Sequence, residues 1–172
     1  MRTGVALTGM LWLALMGGIV ANHEVALRTG QELVLDTVPV DPRDLFRGDY
    51  VVLSYPMSTL DLSSVPNDLP VPQRGQLVYV ELVTEAGRTV PRRVYARRPA
   101  SASMVLRGRI RSAYTRQVQV EYGIESFFVP EGRGRPLETA RGGALQVVAA
   151  VDRSGRAVIK SLRLNGKDVL FR

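Results

Sequence analysis

From Thr3 to Ala21 the chain carries no charged residue. The overlapping run VALTGMLWLALMGGIVAN shows no polar face at the 3.6-residue period of a helix lying on a globular core. Such a segment fits the interior of a bilayer better than the surface of a soluble fold. Nineteen helical residues rise about 28 Å, close to the ~30 Å thickness of the hydrocarbon layer. Gly17 and Gly18 would weaken a soluble helix, whereas in a membrane they let a neighbouring helix approach closely. Arg2 and the terminal amine precede the segment, and Glu24, Arg28, Glu32 and Asp36 follow it, which points the remainder of the chain away from the cytoplasm. The rival is a cleaved signal peptide ending at Ala21, against which Ile19 is bulkier than the small residue such a site wants. A lipid anchor is excluded, because the chain has no cysteine to carry it.

The expected organisation is a membrane anchor over 1–24 and one domain over 25–172. The absence of cysteine also removes disulfides, thiolate metal sites and thiol nucleophiles, and a single histidine, His23, removes histidine-rich metal centres. No metal or cofactor is therefore expected. The net charge of +7 rests on 21 Arg and only two Lys, Lys160 and Lys167, so nearly all of it is guanidinium, whose planar fork suits carboxylates and phosphates.

Period-two alternation and β-branched or aromatic enrichment predict eight strands: Glu32–Val38, Tyr50–Tyr55, Gln76–Leu82, Val105–Arg111, Gln117–Tyr122, Ala144–Val151, Ala157–Leu164 and Lys167–Phe171. Asp152-Arg153-Ser154-Gly155 and Asn165-Gly166 supply hairpin turns, so the last three strands are expected to form a meander. Ser58–Arg74, with three prolines, is read as a short helical turn and a long loop. The fold class is mainly β: an N-terminal transmembrane helix followed by a small antiparallel β-sandwich or partly open barrel with short helical turns.

Three groups of residues could carry function. In PVDPRDLFRGDYVVLSY, Asp41, Asp44 and Asp49 interleave with Arg43 and Arg47 ahead of Tyr50 and Tyr55. One reading is a charged turn with Gly48 at positive φ; the other has Asp49 and Tyr50 lining a groove to which Tyr55 adds a hydroxyl. The spacing of five puts the two tyrosines on opposite strand faces, so they share a pocket only across a bulge. The second group is a stretch from Gly87 to Val120 with nine arginines and no acid. Within it Arg107, Arg109 and Arg111 alternate with Leu106, Gly108 and Ile110, placing three guanidinium groups on one strand face. That face is either solvated and paired to acids elsewhere, such as Glu125, Glu131 and Glu138, or free to meet anionic lipid headgroups or an acidic partner. The third group runs from Tyr122 to Glu138, where Glu125 and Glu131 are candidates for an acid/base pair, opposed by the charge of Arg133 and Arg135.

Gly48-Asp49-Tyr50-Val51-Val52-Leu53-Ser54-Tyr55 matches the pattern GDYxxLxY, and Leu106-Arg107-Gly108-Arg109-Ile110 and Tyr122-Gly123-Ile124-Glu125-Ser126-Phe127-Phe128-Val129-Pro130-Glu131-Gly132 are similar to two further blocks of the family that bears that signature. The chain thus resembles the GDYxxLxY family of bacterial membrane-anchored proteins along nearly its whole length. The resemblance implies an amino-terminal membrane helix, a small extracytoplasmic β-rich domain, and genes beside those of polytopic membrane proteins; it implies no reaction.

Other chemistries fare poorly. A Ser–His–Asp triad would depend on His23 at the end of the apolar segment, and a Ser–Lys dyad needs a buried lysine, whereas Lys160 lies in an alternating strand and Lys167 follows a tight turn. Nucleic acid is disfavoured by scattered aromatics and the lack of a recognisable module. The expectation is an accessory or assembly partner of a neighbouring polytopic membrane protein, single-pass in the cell inner membrane with its C-terminal domain on the periplasmic side. Its contact surfaces would be the Arg-rich face and the Asp41–Tyr55 segment. The alternatives are a membrane-bound hydrolase using Asp49, Glu125 or Glu131, and a sensor that binds a small anion through arginines.

Overall fold

A computed structural model describes residues 2–38, 50–129 and 144–169, and within them gives no account of the side chains at 2–8, 19–23, 26 and 50. Helix α1 spans Arg2–Thr29. It therefore covers the expected apolar segment and runs past the expected end of the anchor, its last turn carrying an Arg28–Glu24 pair at 2.6 Å. Among the described residues no helix is long and apolar enough to cross a membrane. In this respect the structure departs from the expected transmembrane helix.

The rest is antiparallel β. Strands β1 (Gln31–Asp36), β9 (Leu145–Val151), β10 (Ala157–Leu164) and β11 (Lys167–Asp168) form one sheet in the order β1-β9-β10-β11, which contains the expected meander. Strands β3 (Thr59–Asp61), β7 (Gln117–Glu121), β6 (Val105–Ala113), β4 (Leu77–Glu85) and β5 (Arg88–Tyr95) form a second in the order β3-β7-β6-β4-β5. A short ladder pairs β2 (Tyr50–Val52) with β8 (Ser126–Phe128). All eight predicted strands are present in some length, and β3, β5 and β8 are additional. A 3-10 turn at Pro56–Ser58 lies just ahead of the expected Ser58–Arg74 loop, which itself contains the three-residue edge strand β3.

Alternation dictates which faces meet. Leu33 and Leu35 of β1, Val78, Val80 and Leu82 of β4, Leu106 and Ile110 of β6, and Val118 and Val120 of β7 point into one core cluster. Each such side chain contributes roughly 1.5–3 kcal/mol by leaving water. Strand β9 is buried on both faces, from Val147 and Ala149 inside to Val148 and Ala150 outside, and α1 abuts β9 and β10. Bulges between Ile159 and Ser161, Glu81 and Leu82, and Ile110 and Ser112 strengthen the twist that brings the sheets round on one another.

Besides the shared core, hydrogen bonds link the two large sheets. The Asp152–Arg156 turn reaches β6, where the Arg107 amide donates to the Gly155 carbonyl at 2.7 Å. Gly155 is required there: its φ is +85°, and a Cβ would lie 3.0 Å from the Val105 carbonyl oxygen. On the opposite side the Thr89 hydroxyl donates to the Val34 carbonyl at 2.9 Å, linking β5 to β1.

Candidate functional site

The GDYxxLxY segment is a core element. Val51, Leu53 and Tyr55 are each 2% exposed and lie at i, i+2 and i+4, whereas Val52 on the other face is 60% exposed. The chain here is stitched on both sides: the Val38 amide donates to the Ser54 carbonyl at 2.9 Å, and the Leu53 amide donates to the Glu125 carbonyl at 2.8 Å, extending the β2–β8 ladder. Period two therefore sends Tyr55 inward with Val51 and Leu53, away from the face of Val52.

Tyr55, Tyr122 and Glu125 do come together, as a reciprocal brace. The Tyr55 hydroxyl donates to the Ile124 carbonyl at 2.5 Å, and the Tyr122 hydroxyl donates to the Met57 carbonyl at 2.7 Å. Each tyrosine thus satisfies a buried carbonyl in the segment that carries the other. Burial, and secondarily the nearby Glu125 carboxylate, pushes both phenols well above the ordinary tyrosine value, because ionisation would place an unsolvated charge in the core. Glu125 folds back on its own turn, accepting from the Tyr122 amide at 2.5 Å and the Gly123 amide at 2.9 Å. Gly123, at φ +82°, allows the turn that makes this possible. The Glu125 carboxylate is thus spent on backbone amides. Asp41, Arg43, Asp44, Arg47, Asp49 and Glu131 lie outside the described residues.

Of the acids expected to pair with the arginine row, Glu125 is described, and Glu131 and Glu138 lie outside the described residues. Arg107, Arg109 and Arg111 do alternate with buried Leu106, Gly108 and Ile110. Among the described residues one of the three is ion-paired, Arg111 Nη1 lying 3.2 Å from Glu121 Oε1, and on β5 Arg92 Nη1 lies 3.9 Å from Glu81 Oε1. The carboxylate of Glu125, one of the acids expected to pair with this face, accepts instead from the amides of its own turn. Arg109 Nη1 donates to the Gly75 carbonyl at 2.8 Å. Strand register adds residues that the sequence reading did not single out. Tyr79 stands opposite Tyr95 on one side and Arg107 on the other, while Glu81 stands opposite Arg93. The Tyr95 hydroxyl donates to Glu81 Oε2 at 2.9 Å, which raises its pKa, and the Arg93 guanidinium lies 5.3 Å from the Tyr95 ring centroid. The alternation of Leu77, Tyr79 and Glu81 was the available signal for this face; the strand supplying Arg93 and Tyr95 was obscured by Pro91.

A cleft of about 540 Å³ opens between β1 and the β4–β5 hairpin, and none of the expected site residues line it. Its carboxylates are engaged: Glu32 pairs with Lys160, whose hydrogen bond and charge lower the Glu32 pKa, and Asp36 accepts from Gln146 at 2.8 Å. Lys160 is thereby committed to a surface ion pair, not to a serine. Among the described residues no group of three His, Asp or Glu side chains gathers as a metal site would require.

No curated protein and no solved structure matches the chain. A family model described as GDYXXLXY protein matches residues 12–162, a range that takes in the braced Tyr55 segment, the arginine row of β6 and the Tyr122–Glu125 turn. On that match the chain belongs to the GDYXXLXY family.

Proposed function

We propose that this chain is a membrane-anchored, extracytoplasmic β domain that serves as an accessory or assembly partner of a neighbouring polytopic membrane protein. The observation that carries the reading is the surface of α1. Met10, Leu11, Trp12, Leu13, Leu15 and Met16 are each about half exposed or more, and consecutive residues on a helix face in all directions. So large an apolar surface, continuous round the helix, is costly in water and favourable in lipid or against other apolar helices. The uncharged run from Thr3 to Ala21 supplies the length of a single span, and the charges flanking it orient the β domain outward. The assignment to an accessory role draws on the basic outer face of the β4–β7 sheet, whose guanidinium groups outnumber the carboxylates beside them. Anionic lipid headgroups are a second contact for the same charge.

A fusion of alkaline phosphatase to the C-terminus tests the topology: activity in intact cells, with retention of the protein in carbonate-washed membranes, is the expected result. A fusion active only inside the cell, or a protein released by carbonate, removes the reading. Chemical crosslinking in native membranes then tests the partner, with a discrete adduct to an integral membrane protein expected.

A further inference from the structure

We infer that the outer face of the five-stranded sheet, centred on Tyr79 and Tyr95 and flanked by Arg93, Arg107 and Arg109, is a docking site for an acidic segment of a protein partner. This inference rests on the accessory reading above and specifies where on the domain the partner binds and what charge it bears.

The face is built by register. Tyr95, Tyr79 and Arg107 are Cα partners on β5, β4 and β6, so they form one row across about 10 Å of sheet, with Leu77 and Arg109 forming the next. Their inward neighbours, Val78, Val80, Val94, Leu106 and Gly108, fix the opposite face in the core. Tyr79 and Tyr95 are half-buried, and Leu77 is 41% exposed, giving a flat apolar centre.

Charge at the rim is unbalanced. Glu81 is occupied by Arg92 and the Tyr95 hydroxyl, and Glu121 by Arg111. Arg93 and Arg109 stand opposite Glu81 and Glu121 in register, but those carboxylates pair with Arg92 and Arg111, so Arg93, Arg107 and Arg109 make no ion pair among the described residues. Two of them are nonetheless held in place. The Arg93 guanidinium carbon lies over the Tyr95 ring, 5.3 Å from its centroid, and Arg109 is held by a bond to the Gly75 carbonyl. Pre-positioned guanidinium groups around half-buried tyrosines match the centre of a protein–protein interface, where Tyr and Arg carry most of the binding energy. A bilayer interface also accepts tyrosine, but through a free hydroxyl at headgroup level, whereas the Tyr95 hydroxyl is already taken by Glu81. The complementary occupant is a polypeptide whose carboxylates meet Arg93, Arg107 and Arg109 and whose apolar side chains cover Tyr79.

The test uses the full chain in nanodiscs of neutral lipid and a fluorescent peptide of alternating Glu and Leu. Anisotropy is expected to show saturable binding that weakens at least tenfold in Arg93→Glu/Arg107→Glu and at least fivefold in Tyr79→Ala. Arg153→Glu/Lys167→Glu, which changes net charge equally at exposed positions away from this face, should change it less than twofold. The charge-reversed variant should in turn bind the Lys–Leu version of the peptide more tightly than the parent protein does. Equal weakening by the Arg153/Lys167 variant would mean only net charge is sensed, and anionic vesicles that bind without competing with the peptide and without dependence on Tyr79 would make the face a lipid contact; either overturns the inference. In native membranes, a partner adduct that persists at parental yield in Arg93→Glu/Arg107→Glu overturns this site while leaving the accessory reading intact. Absence of any adduct to the parent protein sinks both.

Discussion

Replacing Tyr122 by Phe deletes one oxygen atom and leaves the ring in its place. The Met57 carbonyl, on a residue 1% exposed, then loses the hydroxyl at 2.7 Å, and Tyr55→Phe does the same to the Ile124 carbonyl. A buried acceptor left without its donor costs about 1–3 kcal/mol, so each variant should unfold at lower urea and, for a domain of this size, melt about 2–4 °C lower per kcal/mol. The two bonds tie the same pair of segments, 53–58 and 122–125, so the double variant should cost less than the sum of the singles. The same geometry sets the alkaline limb of stability. Burial first, and Glu125 second, raises both phenol pKa values in the folded state, whereas an unfolded tyrosine ionises near pH ~10. The stabilisation is fully present below that pH. Above it the unfolded state releases protons that the folded state keeps, so stability falls by about 1.4 kcal/mol per pH unit for each tyrosine and about 2.7 for the pair. Urea unfolding of the full chain in detergent from about pH 8 to pH 11, with tyrosinate absorbance followed in parallel, measures both effects. Two of the six tyrosines should ionise only on unfolding, and Tyr55→Phe/Tyr122→Phe should flatten the slope. Single variants costing less than about 0.3 kcal/mol, or a slope unchanged in the double variant, would refute the brace.

Three further outcomes follow from local geometry. Gly108→Ala puts a methyl 2.3 Å from Val120 Cγ1 and 3.1 Å from the Glu121 carbonyl oxygen, so thermal denaturation should show a loss of about 1–3 kcal/mol by overpacking. In the β4–β5 turn Ala86 holds φ +48° beside Gly87 at +79°, a conformation that favours Asn or Gly; Ala86→Asn should raise stability by about 0.5–1 kcal/mol in the same measurement. Burial acts to raise the Asp152 pKa, but bonds from Ser154 and Arg156 outweigh it and the net shift is downward. Its contribution is therefore present above the ordinary carboxylate range and is lost as pH falls through the folded value, so Asp152→Asn should flatten the acid limb of a urea-midpoint profile.

Much of the β body was legible because alternation is a property of neighbouring residues. Val51, Leu53 and Tyr55 share a parity, as do Arg107 and Arg109, and no tertiary information is needed to see it. The turns were legible for the same reason: Asn165-Gly166 carries φ values of +52° and +77° that few other residue pairs accept. Strand β5 was hidden because Pro91 and three arginines depress local strand preference. It forms at the edge of its sheet, where a residue lacking an N–H is tolerated. Strands β3 and β8, three residues each, are too short to show a period and exist only through their pairing with β7 and β2.

Sequence alone determined the uncharged opening segment, the strand faces, the hairpin turns and the excess of guanidinium on β6. Tertiary structure decided that the face holding Tyr55 is the core, that Tyr55 and Tyr122 each close on the other's backbone, and that Tyr95, Tyr79 and Arg107 stand in one row. Periodicity fixes which residues lie on the same side of a strand, but not which side is buried nor which strand lies alongside. Those depend on contacts between segments far apart in the chain, where hydrophobic burial and ladder register are satisfied together.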